Sequence, residues 1–139
     1  MGDHEAEQAE LLEMLSQGMQ QQRRAVRCFE LLQAAARPED KSQLTAMQRE
    51  DRRHYYLLEG IFEEIFGRAY LPPRLAVAMP RQYVAMLQVM IRYKLNTVSL
   101  FEKIADELDC LKQKELMAIV IGDQKEQSRI LAEIYKSSL

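Results

Sequence analysis

The sequence predicts an all-α protein, folded as one domain of four long helices. Apolar residues recur at three- and four-residue steps in four separate segments, which is the pattern of helices with one buried face. Polar and apolar residues do not alternate with period two over a useful length, so strands are not expected. A chain of 139 residues is long enough for one domain, 1–139, with a substantial core.

The first two helices are defined by their apolar stripes and by their stop signals. The first stripe consists of Leu11, Leu15, Met19, Val26, Phe29 and Leu32, and Gln22 interrupts it. This helix is expected to end near Ala36, because a residue that precedes proline, here Arg37, disfavours the helical conformation. The second stripe consists of Leu44, Met47, Leu58, Ile61 and Ile65, with Asp51 and His54 in its middle and Gly67 as its predicted stop. Residues 1–9 are acidic and polar, and we expect them to be flexible.

The third and fourth helices repeat this arrangement. The third stripe consists of Leu87, Ile91, Val98, Phe101, Ala105 and Leu108, and Lys94 interrupts it. The fourth stripe consists of Met117, Val120, Leu131 and Ile134, with Gln124 and Gln127 between them. Each of the four stripes therefore carries polar residues near its middle, and these breaks are predicted to lie at one depth of the bundle.

The lengths of the connections select among the four-helix folds. Short joins around residues 38–40 and 109–112 predict two antiparallel hairpins. The middle connection, residues 67–80, can extend to about 45 Å, which is close to the length of a helix of roughly 28 residues. It is therefore predicted to cross the whole bundle. Two antiparallel hairpins joined by one long crossover is the ferritin-like arrangement.

An internal repeat supports the two-hairpin arrangement. Displacing the first hairpin by 72 or 73 residues lays Gln22 on Lys94, Phe29 on Phe101, Asp51 on Gln124 and His54 on Gln127. The change of one residue in the displacement falls in a hairpin turn, where insertions are tolerated. The chain thus reads as two copies of one hairpin around a pseudo-two-fold axis.

The segment from Arg49 to Leu58 resembles the second helix of rubrerythrin-like members of the ferritin-like superfamily, in which a Glu-x-x-His pair precedes apolar residues. The aromatic residues Phe29 and Phe101 also match, because each lies seven residues after a position that the family uses for a metal-bridging glutamate. The resemblance covers roughly residues 10–136. It implies a ferritin-like fold with a two-metal site at the six polar breaks.

The residues at those six positions depart from the family. The bridging glutamates are replaced by Gln22 and Lys94, and the second Glu-x-x-His pair is replaced by Gln124 and Gln127. Divalent cations prefer carboxylate and imidazole ligands, and here only Asp51 and His54 supply them. We therefore expect a degenerate site without a cofactor, in which Lys94 pairs with Asp51 and the other four residues complete the hydrogen bonds. Two other interpretations remain open: Lys94 extends to the surface along its aliphatic stem, or His54 is an ordinary buried histidine.

Composition restricts the functional class. A net charge of −2 and a pI near 5.8 do not favour nucleic-acid binding. The polar N-terminus is not a signal peptide, no segment is long and apolar enough for a membrane, and Cys28 and Cys110 are isolated, so a cytoplasmic protein is expected. No Ser/His/Asp or Cys/His nucleophile arrangement is visible.

The sequence therefore favours a non-catalytic helical bundle that acts through its surface, as a homodimer. A candidate contact patch is formed by Tyr70, Leu71, Pro72, Pro73, Tyr83, Met86 and Tyr93. The alternative is a rubrerythrin-like metal-binding protein or oxidoreductase with iron, manganese or zinc in a partial site. That site would use Asp51 and His54, with Glu50 and Glu126 as additional ligands.

Overall fold

The computed structural model describes residues 2–139, and within that range the chain is all-α without a β-strand. The four helices are α1 (Gly2–Ala35), α2 (Lys41–Phe66), α3 (Tyr83–Glu107) and α4 (Leu111–Ser137), with a short 3-10 turn at Pro38–Asp40. Each helix contains one of the predicted apolar stripes. The all-α prediction is confirmed.

The helix ends show which local signals determine them. α2 stops at Gly67, which has a φ of 68° and donates its backbone amide to the carbonyl of Glu63 at 2.9 Å. A left-handed residue at this position is the common way to end a helix, and glycine adopts it without strain. At the other extreme, α1 already begins at Gly2, so residues 2–9 are helical where a flexible segment was expected. Asp3 and Glu5 in its first turn are favourable there, because they complement the helix dipole.

The main contacts between helices are those of α1 with α2, α3 with α4, α1 with α3, and α2 with α4. At one end, Arg37 after α1 donates to the backbone oxygen of Ser137 in α4 at 2.7 Å. Near it, the hydroxyl of Tyr83 at the start of α3 donates to Asp40 before α2 at 3.0 Å. The end of α1, the starts of α2 and α3, and the end of α4 therefore meet.

The connection between α2 and α3, residues 67–82, lies along α1. Gln20 donates to the hydroxyl of Tyr70, and Arg23 donates to the backbone oxygen of Pro73, each at 2.7 Å. Its first part packs on the core near Phe62, whose ring centroid is 5.5 Å from that of Tyr70. Its last part, at Val77 and Met79, packs on the opposite end of the core.

Only part of the predicted contact patch is exposed. Tyr70 and Met86 are only 9% and 8% exposed, because both side chains belong to the core of their own chain. Leu71 is 82% exposed and is not covered by this packing. The prediction of the patch is therefore wrong for Tyr70 and Met86, which are buried, while residues 71–73 are exposed.

The apolar core consists of two clusters, one on each side of the level at which the stripes break. One cluster includes Leu15, Leu58, Phe101 and Met117, and the other includes Phe29, Leu44, Leu87 and Leu131. Both clusters draw on all four helices. None of the helices within residues 2–139 combines the length and apolarity that crossing a membrane requires.

Candidate functional site

All six polar residues that interrupt the stripes lie inside the bundle. None is more than 2% exposed; they are Gln22, Asp51, His54, Lys94, Gln124 and Gln127. Along each helix they lie between residues of the two apolar clusters, so they form a polar layer across the core. A buried polar group is costly unless it is hydrogen-bonded, so the contacts inside this layer decide what it can do.

The centre of the polar layer is an ion pair between Lys94 of α3 and Asp51 of α2. The side chains of both residues are completely buried, and Lys94 Nζ donates to Asp51 Oδ2. The same ammonium donates to Gln124 Oε1 at 2.9 Å and lies 5.2 Å from the centroid of the Phe29 ring, within range of a cation–π interaction. The predicted pairing is therefore present, and the interpretation in which Lys94 extends to the surface is wrong.

Asp51 is held as a carboxylate by its neighbours. Its Oδ1 accepts hydrogen bonds from Gln124 Nε2 at 2.7 Å and from Gln127 Nε2 at 3.1 Å. Burial alone would raise the pKa of Asp51, but the charge of Lys94 and the hydrogen bonds outweigh it, so that the pKa lies below its ordinary value. Burial lowers the pKa of Lys94, and the charge of Asp51 opposes that shift.

His54 is attached to this network through Gln124, which also fixes its tautomer. Lys94 donates to Gln124 Oε1, so the amide nitrogen of Gln124 is the atom that faces His54 Nδ1, at 3.0 Å. An amide nitrogen can only donate, and Nδ1 therefore accepts and carries no proton. The imidazole proton is on Nε2, which donates to Asp123 Oδ2 at 2.9 Å.

The two remaining glutamines differ in how well they are satisfied. Gln127 Nε2 also donates to Glu50 Oε1 at 2.9 Å, which connects the layer to the protein surface. Gln22 is completely buried, and neither of its amide atoms reaches a hydrogen-bond partner among residues 2–139. The expectation that Gln22 completes the network is wrong. Gln22 is the one residue of the six that lies on α1, and the hydrogen bonds of the network join residues of α2, α3 and α4.

The polar layer does not fit the two-metal centre that the family resemblance implies. Two adjacent divalent cations need several anionic ligands, and this layer offers one carboxylate, both of whose oxygens already accept hydrogen bonds. Lys94 places an ammonium where a bridging carboxylate would be required. A cation in that position would repel a metal ion.

Three side chains of the kinds that bind metal ions come together at the edge of the polar layer: His54, which belongs to the layer, and two carboxylates beside it. Glu50 and His54 of α2 and Asp123 of α4 each offer one ligand atom, and these three atoms all lie within 4.8 Å of one another. Glu50 was expected as an additional ligand, whereas the other candidate, Glu126, is bonded to Arg129 on the surface of α4.

Asp123 was not among the site residues predicted from the sequence, although the internal repeat contains a signal for it. Asp51 and Gln124, which the repeat superimposes, are 73 residues apart. The same displacement lays Glu50 on Asp123, so the two carboxylates occupy equivalent positions of the two hairpins. Both lie at the edge of a stripe, where periodicity alone does not decide between core and surface.

Comparison of the chain with family models, with curated proteins and with solved structures finds no match in any of the three. The function is therefore inferred from the contacts of the polar layer and of the residues beside it.

Proposed function

We propose that this protein is a ferritin-like four-helix bundle in which an ion-paired polar layer takes the place of a two-metal centre. In this proposal the protein is not an enzyme; it serves as a structural or partner-binding module. The observation that carries the proposal is the completely buried ion pair between Lys94 and Asp51. It supplies, inside the protein, the positive charge that a buried carboxylate needs.

The meeting of helix ends supports the ferritin-like arrangement. α2 and α3 both start at the end of the bundle where Tyr83 contacts Asp40, so these two helices run in the same direction. α1 and α4 both finish there, where Arg37 contacts Ser137. A chain that leaves α2 at the far end must return along the bundle to begin α3, which agrees with a connection that follows α1. This order supports the ferritin-like topology over the up-down-up-down one.

The polar layer would determine how the helices align. Lys94 of α3 contacts partners on both α2 and α4, and any shift by one turn would leave its charge without a partner in the core. A single buried polar contact of this kind specifies register at some cost in stability. In this proposal the layer selects a single alignment of the helices, and it requires no metal.

Homodimer formation and a cytoplasmic setting remain part of this proposal. Several large apolar side chains are exposed, including Tyr56 at 67% and Ile119 at 59%. Light scattering coupled to size-exclusion chromatography measures the mass directly, and a mass of one chain at all concentrations would contradict the dimer.

The metal content of the protein tests the proposed layer. The protein is purified without chelator, incubated anaerobically with excess Fe²⁺ and then desalted. Elemental analysis is expected to find fewer than two ions per chain. Two ions per chain that are lost in the Asp51→Asn variant would contradict the proposal. They would support the alternative, an oxidoreductase with a site at Asp51 and His54.

A further inference from the structure

One imidazole and two carboxylates converge on the face between α2 and α4. The imidazole is that of His54, which belongs to the polar layer, and the two carboxylates lie beside the layer. Glu50 and His54 are four residues apart on α2 and so lie on one face of that helix. Asp123 approaches from α4, and its Oδ2 is 2.9 Å from His54 Nε2. These three residues, Glu50, His54 and Asp123, are called the edge cluster below.

We propose that the edge cluster is a binding site for a single divalent cation of the Zn²⁺ class. One imidazole nitrogen and two carboxylate oxygens suit borderline divalent ions, and the lack of a sulfur ligand makes the site unsuited to Cu⁺. Three protein ligands leave a coordination position for water or for a small ligand. The site differs from the two-metal centre of the family resemblance, because it uses the residues that precede Asp51 and Gln124.

The distances in the edge cluster are compatible with such a site. Ligand atoms about 2.0–2.2 Å from a tetrahedral zinc ion are roughly 3.3–3.6 Å from one another. The three ligand atoms are already within 4.8 Å of one another, so small side-chain rotations are sufficient. Glu50 and Asp123 have room for these rotations, since their side chains are 27% and 37% exposed. His54 is buried, and it needs only a small rotation of its ring.

The charge around the edge cluster also favours a cation. Glu50 and Asp123 bring two negative charges together, and the guanidinium of Arg53 approaches Glu50 only to 4.0 Å while being 68% exposed. The charge of Lys94 is already engaged by Asp51. His54 and Asp123 line a surface groove together with Arg53, Tyr56, Leu57 and Ile119, and this groove gives an ion access from solvent.

Residues of the polar layer would orient two of the metal ligands through hydrogen bonds. Gln127 Nε2 donates to Glu50 Oε1 and so holds that carboxylate while leaving Oε2 free. A metal on His54 Nε2 must replace the proton there, and a neutral imidazole then carries its proton on Nδ1. Asp51 Oδ1 is 3.7 Å from Nδ1 and can accept this proton after a small rotation of the ring, which replaces the hydrogen bond that Gln124 donates to Nδ1. Histidine ligands commonly donate their second nitrogen to a carboxylate in this way.

Calorimetric titration of the full chain with Zn²⁺, after dialysis against a chelator and then against chelator-free buffer, tests the site. We expect saturation at one ion per chain. Asp123→Asn and Glu50→Gln should each weaken the affinity at least tenfold, since each removes one anionic ligand. His54→Gln should abolish saturable binding. Asn at position 123 still accepts the hydrogen bond from His54, so that variant preserves the fold, which circular dichroism verifies.

Matched controls are available within the chain. Glu126→Gln removes a carboxylate from the same helix, and His4→Gln removes the other histidine of the sequence, which is exposed at the N-terminus. Both should leave the affinity unchanged. Nitrogen NMR of His54 should also show its proton move from Nε2 to Nδ1 when Zn²⁺ binds, which a nonspecific surface ion would not cause.

The possible outcomes separate this inference from the proposed function. No saturable binding, or binding that Asp123→Asn and Glu50→Gln leave intact, would overturn the edge cluster as a site and leave the metal-free polar layer standing. An equal loss of affinity in Glu126→Gln or His4→Gln would overturn the site as well. Two ions per chain that depend on Asp51 would instead overturn the proposed function.

Discussion

Replacing Lys94 by methionine is the sharpest perturbation of the polar layer. Methionine retains most of the side-chain volume but removes the ammonium that pairs with Asp51. Deleting one partner of a buried ion pair costs about 3–5 kcal/mol, because the remaining charge is left without compensation. The contact with the Phe29 ring and the hydrogen bond to Gln124 are lost as well. We expect a loss of about 4 kcal/mol at pH 7, out of a total that is typically 5–15 kcal/mol.

Urea denaturation followed by circular dichroism measures this loss. Lys103→Met is the matched control, because Lys103 is an exposed residue on the same helix and should change stability by no more than about 0.5 kcal/mol. The double variant Lys94→Met/Asp51→Asn removes both charges and should lie within roughly 1–2 kcal/mol of the unmodified protein. A loss below 1 kcal/mol in the single variant, or a double variant that shows the sum of both losses, would refute the reasoning.

The pH dependence provides a second check whose sign can be derived. In the unmodified protein the pKa of Asp51 is below its ordinary value of 3.8, so its contribution to stability is complete above pH 3.8 and is lost as the pH falls through the folded-state pKa. Without Lys94, burial should raise the pKa of Asp51 above that of the unfolded chain. The folded variant then binds the extra proton, and its stability rises on acidification. The difference between Lys94→Met and the unmodified protein should therefore shrink toward pH 4, and a constant difference would contradict the ion-pair account.

Three further predictions concern the surroundings of the polar layer and the helices. Gln22→Met should raise the free energy of unfolding by about 1–3 kcal/mol, because it removes a buried amide that lacks a partner among residues 2–139; an unchanged urea midpoint would contradict this. Gly122→Ala should stabilise α4 by about 0.5–1 kcal/mol, since a methyl group there meets no atom within 4 Å. Gly18→Ala should gain less or destabilise, because its methyl group would lie 3.1 Å from the ring of Phe101, and thermal melts compare the two. Burial raises the pKa of Tyr93 from 10.0 to about 12, so its contribution to stability should be lost between those pH values, and Tyr93→Phe should flatten the stability curve there.

Periodicity was sufficient to predict the helices and the polar layer. A helical period of 3.6 residues assigns each residue to a face, and the six breaks fell on faces that were otherwise apolar. The opposite charges of Asp51 and Lys94 then made their pairing predictable, since each would be costly alone in the core. The start of α1 was not predicted, because residues 2–9 carry no apolar stripe and form a helix by local propensity.

Contacts that depend on the relative rotation of helices were less accessible from the sequence. Glu50 and Asp123 lie at the edges of their stripes, and a small rotation decides whether they approach His54 or point to solvent. The isolation of Gln22 likewise depends on distances between helices, because its helical face was assigned correctly while its hydrogen bonds were not. The burial of Tyr70 depends on the route of a connection that has no periodic pattern.

The two hairpin copies fill equivalent positions of the polar layer with complementary rather than identical residues. The first copy contributes Asp51 and the second contributes Lys94, while their counterparts in the other copy, Gln124 and Gln22, are neutral. If both copies carried the carboxylate, two negative charges would be buried together, and only metal ions or protons would compensate them. Apart from His54, the layer contains one anion, one cation and three neutral amides, so their charges balance. A cation on His54 Nε2 would place a proton on Nδ1 and replace the contact with Gln124 by one with Asp51, so it would act directly on the buried ion pair.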